Sequence, residues 1–165
     1  MVNLVLHIGS NIGDREVNLS RCITLLDIHL GNLIKSSQIY ATEAWGYKDQ
    51  PEFLNQALLF STTKSPTEVL AITKKIECVI GKEKEFFWGP RRIDIDIIFY
   101  GDLVLDESYL AIPHPRMTNR KFVLAPVVDI IPEYIHPVHG VSMKKMLELC
   151  DDASYVYPSI EKQII

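Results

Sequence analysis

The sequence predicts an α+β fold, a ferredoxin-like βαββαβ antiparallel sheet with both helices on one face, and three observations predict it. Apolar runs of strand length alternate with helical repeats in that order as far as Tyr100. The joins carry suitable punctuation, with capping residues and glycines at the helix ends and Gly/Pro turns between strands. The composition, 47% hydrophobic and 23% charged over 165 residues, is that of one globular domain spanning 1–165.

Leu4 to Ile8 is a short apolar run closed by Gly9-Ser10-Asn11, which reads as a buried strand. Leu19, Cys22, Ile23, Leu26 and Leu30 then recur at helical spacing, with Asp14 at the start and Gly31 past the end. Leu33 to Thr42 and Phe53 to Thr62 suit a pleated surface, and the loop between them carries Gly46, Lys48, Asp49 and Pro51. Ser65-Pro66-Thr67-Glu68 is a helix start: serine caps, proline suits the first helical position, and glutamate closes a capping box. Val69, Ile72, Ile76, Val79 and Ile80 form that helix's stripe before Gly81. Ile93 to Tyr100 alternates as a last strand, and the final third, with a helix near Met143 to Cys150, reads as an embellishment on the same core.

A net charge of −4 and a pI of 5.7 argue against a nucleic-acid binder, which needs a basic stripe to displace counterions. Cys22, Cys78 and Cys150 are odd in number and form no CxxC pair, so they read as reduced thiols. The start Met1-Val2-Asn3-Leu4 has no basic and apolar leader, and no stretch approaches the ~18 apolar residues of a membrane span. The expectation is a cytoplasmic monomer acting on small molecules, with no membrane or nucleic-acid partner.

The chemistry concentrates in Trp88-Gly89-Pro90-Arg91-Arg92-Ile93-Asp94-Ile95-Asp96-Ile97. On a strand Asp94 and Asp96 point the same way, their Cα atoms about 7 Å apart, while Ile93, Ile95 and Ile97 face a core. Two carboxylates so placed can share hard divalent ions; equally, they can form salt bridges to Arg91 or Arg92 on a half-exposed strand. Lys82, Lys84, Arg91, Arg92, Arg116 and Arg120 surround this acidic pair in an otherwise acidic chain, as a site for metal plus polyphosphate requires. There is no G-x-x-x-x-G-K-[ST] loop, and Gly9 to Gly13 reads as a structural turn. Phe53 and Asn55 form a second same-face pair, a ring that can stack and an amide that can read a purine- or pterin-like edge. Core packing of Phe53 with a turn-forming Asn55 is the alternative. His114 sits between prolines, and His136 and His139 lie in a Pro/Gly turn without a third metal ligand nearby in sequence.

Taken together, Ile8-Gly9-Ser10-Asn11, Asp49 to Asn55, Trp88 to Asp96 and Ile112 to Phe122 resemble the 6-hydroxymethyl-7,8-dihydropterin pyrophosphokinases over nearly the whole chain. The resemblance implies ATP-dependent diphosphate transfer to the pterin hydroxymethyl group with release of AMP. It implies two Mg2+ ions on Asp94 and Asp96, and a pterin between Phe53 and Phe122 whose polar edge meets Asn55 and the backbone near Thr42 and Ala44. ATP is implied at Glu77, Arg91, Ile97, His114 and Arg120. A closing loop is implied to bring Lys82 and Lys84 to the phosphates and Trp88 to the substrate, with Lys82 and Arg91 as the catalytic cations. The chain departs from the family pattern where Gly81-Lys82-Glu83-Lys84 replaces Gly-Arg-x-Arg, keeping charge but losing the bidentate fork. Tyr109 and Ala111 also replace an arginine and a threonine that some members place near the nucleotide.

Overall fold

Strand β1 (Val2–Ser10) runs through the middle of an antiparallel sheet in a computed structural model that describes residues 1–81 and 89–159. Helix α1 (Arg15–Leu30) follows, its first turn held by the Asp14 carboxylate, which accepts from the Val17 N–H. Leu19, Cys22, Leu26 and Leu30 form its buried face. Gly31 ends it at φ 136°, where a Cβ would stand 2.4 Å from the Ser61 carbonyl, so a side chain there would collide with the next strand.

The segment expected as one strand from Leu33 to Thr42 is two, β2 (Gly31–Ser36) and β3 (Tyr40–Thr42). The break has a local cause. Ser37 exchanges two bonds with Ala57, one through its own N–H and one through its Oγ, while the Gln38 N–H turns away to Asp129. Strand β4 (Phe53–Thr62) pairs with both pieces and with β1. Helix α2 (Pro66–Ile80) opens on the expected capping box, with both the Ser65 and the Glu68 bonds present. Strand β5 (Asp94–Tyr100) closes the other side of β1.

The C-terminal third adds a small hairpin, β6 (Leu105–Asp106) with β7 (Ala111–Ile112), a 3-10 turn at Met117–Asn119, and helices α3 (Lys121–Ile130) and α4 (Met143–Leu149). Its last strand, β8 (Val156–Pro158), extends the sheet beyond β3, so the order is β5-β1-β4-β3-β8 with β2 alongside the other half of β4. Among the described residues no helix is long and apolar enough to cross a membrane.

Two cores lie on opposite faces of this sheet. Leu4, Leu6, Ile8 and Phe60 meet α1 and α2 on one face, as expected. Val5, Ala57, Leu59 and Phe99 meet α3 and α4 on the other, so the segment expected as an embellishment builds a second helical layer. Ile93, Ile95 and Ile97 are buried in the first core, on the face opposite Asp94 and Asp96. The alternation then slips by one residue: Ile98 has no partner between the Ile97–Leu6 and Phe99–Val5 pairs, and both Ile98 and Phe99 enter the second core.

Candidate active site

The second helical layer does not cover the end of the sheet where β1 finishes and β4 and β5 begin. The uncovered floor follows from the strand register. Gly9 lies between Asp94 on β5 and Asn55 on β4, His7 lies between Asp96 and Ala57, and Thr42 lies opposite Phe53. Above this floor is a hollow of about 430 Å³. Gly9 permits a close approach here, because a Cβ on it would sit 2.7 Å from the Asn55 Oδ1 and the amide would have to shift. Asn55 is fixed from the other end, its Nδ2 donating to Thr42 Oγ1 at 2.6 Å.

Aromatic rings and guanidinium groups form the walls. The Arg91 guanidinium lies 5.7 Å from the centre of the Phe53 ring, and that of Arg120 lies 5.6 Å from Phe122 and 5.7 Å from Trp45. Arg91 is anchored at several points. Its N–H donates to Asn11 Oδ1 (2.8 Å), its Nε to the Gly89 carbonyl (3.2 Å) and its Nη1 to Asp94 Oδ2 (3.0 Å). Asn11 also donates to Gln50 and to the Pro51 carbonyl, so this one buried amide joins the ends of β1, β5 and the loop before β4. Asn11, just past the end of β1, is thus a structural brace, while Gly9 on the strand forms part of the floor.

The two aspartates differ in their surroundings. Asp94 has the Arg91 ion pair that the salt-bridge alternative anticipated. Burial, then the charge of Asp94, pushes the Asp96 carboxyl up to about 7, and His114 Nε2 stands 4.0 Å from its Oδ1. His114 Nδ1 accepts from the Arg116 N–H, which leaves the proton on the nitrogen facing Asp96. Burial first and Arg120 second lower His114 to about 4. Burial also lowers the Arg120 pKa, and its Nε is buried without a hydrogen-bond partner among the described residues. Such a guanidinium is suited to an incoming anion.

A smaller hollow of about 270 Å³ adjoins the first, sharing Lys74, Asp96, His114 and Pro115 with it. Ile97, Leu70 and Leu110 give it an apolar lining beside Tyr109.

Of the residues singled out in the sequence, Thr42, Phe53, Asn55, Arg91, Asp94, Asp96, His114, Arg120 and Phe122 meet around the larger hollow, and Ile97 lines the smaller one. Ala44 is buried, and it is its neighbours Glu43 and Trp45 that line the wall. Glu77 is also buried, and lines neither hollow. Its Oε1 accepts from the Ile95 N–H at 2.9 Å and its Oε2 meets Lys74 at 3.3 Å, so it braces the outer edge of β5. Lys82, Lys84 and Trp88 lie outside the described residues. His136 holds its own turn, its Nδ1 accepting from the Val138 and His139 N–H groups. Sequence reasoning missed His7, Trp45 and Lys74. Only His7 left a signal, as the one polar residue in the apolar run from Leu4 to Ile8.

Carboxylates beside buried guanidinium groups, next to an aromatic-walled slot with an amide at its far end, define a class: enzymes that bring a polyphosphate to a flat heterocycle. The family model of 7,8-dihydro-6-hydroxymethylpterin-pyrophosphokinase (HPPK) matches residues 5–132, and the chain belongs to that family. It is 39% identical over 145 residues to the 2-amino-4-hydroxy-6-hydroxymethyldihydropteridine pyrophosphokinase of Aquifex aeolicus, covering 88% of this chain and 90% of that protein. The protein of the same name from Bacillus subtilis is 44% identical over 124 residues, 74% of each chain. Among solved structures, wild-type HPPK-DHPS of Plasmodium falciparum with SDX-DHP superposes with a TM-score of 0.71 over 90% of this chain at 19% identity, a likeness of fold. The chain spans 43% of that protein's length.

Proposed function

We infer that this chain transfers the terminal diphosphate of ATP to the hydroxymethyl group of 6-hydroxymethyl-7,8-dihydropterin, releasing AMP, a step of folate biosynthesis. Family membership supports the reaction, and one observation carries its placement: the Asp94–Gly9–Asn55 row puts an acidic end and an amide end on one continuous floor. The strand order β5-β1-β4-β3 supports the ferredoxin-like reading of the sheet.

The pterin lies between Phe53 and Phe122, with Asn55, Thr42 and the backbone beside Ala44 reading its polar edge. ATP enters by the smaller hollow, its base against Ile97 and its phosphates toward His114, Arg120 and Arg91. Glu77 supports it from behind, through the Ile95 N–H. The roles of Lys82, Lys84 and Trp88 toward phosphate and substrate rest on the family resemblance.

The donor set fits Mg2+. Asp94 and Asp96 offer hard carboxylate oxygens on one face, and a carboxyl displaced to about 7 is one whose charge lacks sufficient compensation. Asp94 and Asp96 would hold two ions, which when bound neutralise and align the phosphates. The hydroxymethyl oxygen attacks the β-phosphorus in line, a new O–P bond forms as its O–H proton passes to solvent, the bond from the β-phosphorus to the oxygen bridging it to the α-phosphate breaks, and AMP departs with that oxygen. Arg91, held in three places, and Lys82 stabilise the charge that develops, and the fixed Asn55 amide holds the nucleophile in register.

The test is AMP formation by the purified chain with ATP, Mg2+ and 6-hydroxymethyl-7,8-dihydropterin. Stoichiometric AMP and pterin diphosphate support the assignment. Binding of both ligands without AMP release would reduce the chain to a binding module and refute it.

A further inference from the structure

Helix α3 contains Pro126, and a proline cannot donate the N–H that the carbonyl four residues earlier receives in a regular helix. That carbonyl belongs to Phe122, the ring read above as one wall of the pterin slot. A donor does reach it, from the sheet: His7 Nε2 lies 3.1 Å from the Phe122 oxygen, 115 residues away in sequence. The two rings also meet edge to face, with centroids 5.7 Å apart. His7 is 3% exposed, lines the hollow and stands beside Asp96 in the register. Because Gly9 has no side chain, His7 is the side chain by which the central strand enters the slot.

We propose that His7 is the positioning residue of the substrate-covering ring: its Nε2–H replaces the bond that Pro126 removes and so fixes the first turn of α3, and Phe122 with it, relative to the sheet floor. A carbonyl can only accept, so the bond also sets the tautomer, with the proton on Nε2 and none on Nδ1. Without the donor this part-buried carbonyl loses its partner on the sheet, and the start of the helix is no longer tied to β1. The loss would be felt at the ring, whereas Arg91 keeps its own support in Asn11 and strand β5 its own in Glu77.

The inference rests on the pterin reading of the slot, so wild-type affinity for 6-hydroxymethyl-7,8-dihydropterin is measured first by calorimetry, together with that of a non-hydrolysable ATP analogue. His7→Ala and His7→Phe are expected to weaken pterin binding about tenfold and leave the analogue's Kd within about twofold. His7→Gln, whose amide N–H can reach the same carbonyl, is expected to recover most of the loss. His7→Phe binding pterin like the wild type, or His7→Gln no better than His7→Ala, overturns the proposal. Should the variants fail to fold, 15N chemical shifts of labelled histidine in the wild-type protein decide. The Nε2–H tautomer for His7 at neutral pH supports the bond, and the Nδ1–H tautomer refutes it. A wild-type protein that binds no pterin would sink the functional reading, while the tautomer would still decide the hydrogen bond.

Discussion

Asp96 is where the demands of the site conflict most openly. Partly buried, beside a second carboxylate that already has its arginine, it holds its proton up to about 7. A divalent ion bound at the proposed site would have to displace that proton, so Mg2+ affinity of the free protein is expected to rise with pH through about 7. Calorimetry near neutrality in buffers of different ionisation enthalpy should show proton release, and identical heats would contradict it. Asp94→Ala and Asp96→Ala are each expected to lower turnover by about a thousandfold or more, read as AMP formation at saturating Mg2+ with unchanged circular dichroism. Near-normal turnover in either variant would remove the metal assignment. Gly9→Ala tests the floor itself. Its Cβ would press on Asn55 Oδ1 at 2.7 Å, so pterin affinity should fall about tenfold through the displaced amide while ATP affinity holds. Equal losses for both ligands would mean the floor had moved as a whole.

Where helices α1 and α2 of this protein begin is set by short-range chemistry that the chain announces in advance. The α2 start shows it most clearly, with serine, proline and glutamate at the spacing of a reciprocal cap and both bonds formed. Ser65→Ala is expected to cost about 1 kcal/mol in urea denaturation without affecting turnover, and a loss near zero would show that Pro66 alone defines the start. The β2–β3 break was not legible in the same way. Leu33 to Thr42 has strand propensity throughout, and what interrupts it is Ser37 bonding Ala57 together with Asp129 receiving Gln38 N–H and Tyr40 O–H from a helix 89 or more residues away. No local pattern encodes a partner at that separation.

At the level of the whole molecule, stability should depend on pH through its buried histidines. Burial lowers His136 from 6.5 to about 4, and protonation of its Nδ1 would also remove an acceptor used by two backbone N–H groups. The unfolded chain therefore takes up a proton at this site below 6.5 that the folded chain refuses until about 4. The contribution of His136 is full above 6.5 and is lost as pH falls through that window. Asp96 acts with the opposite sign, its raised pKa favouring the folded state toward low pH, between 7 and 3.8. The comparison must therefore be between variants. His136→Asn, which keeps a side-chain acceptor but cannot titrate, is expected to show a shallower loss of urea stability from pH 6.5 to 4 than the wild type. Parallel curves would show that folding leaves the His136 pKa unchanged.

The sequence by itself determined whatever depends on neighbours within a turn or along a strand. Asp94 and Asp96 share a face because strand side chains alternate, α1 and α2 begin where Asp14 and Ser65 can cap, and Ile93, Ile95 and Ile97 are buried because their parity is opposite to that of the aspartates. It also marked most of the site, since Phe53, Asn55, Arg91 and the aspartates stand in two short runs. Only the tertiary structure decided which runs meet. Strand order set Gly9 between Asp94 and Asn55, Asn11 was brought to Arg91 across 80 residues, and His7 to the carbonyl that Pro126 leaves without a donor across 115. It also placed α3 and α4 on the face opposite α1 and α2, carrying Phe122 to the slot. The reason is physical: propensity, parity and capping act over a few bonds and are written at each position, whereas a contact across the sheet exists only once every strand between its partners has taken its register.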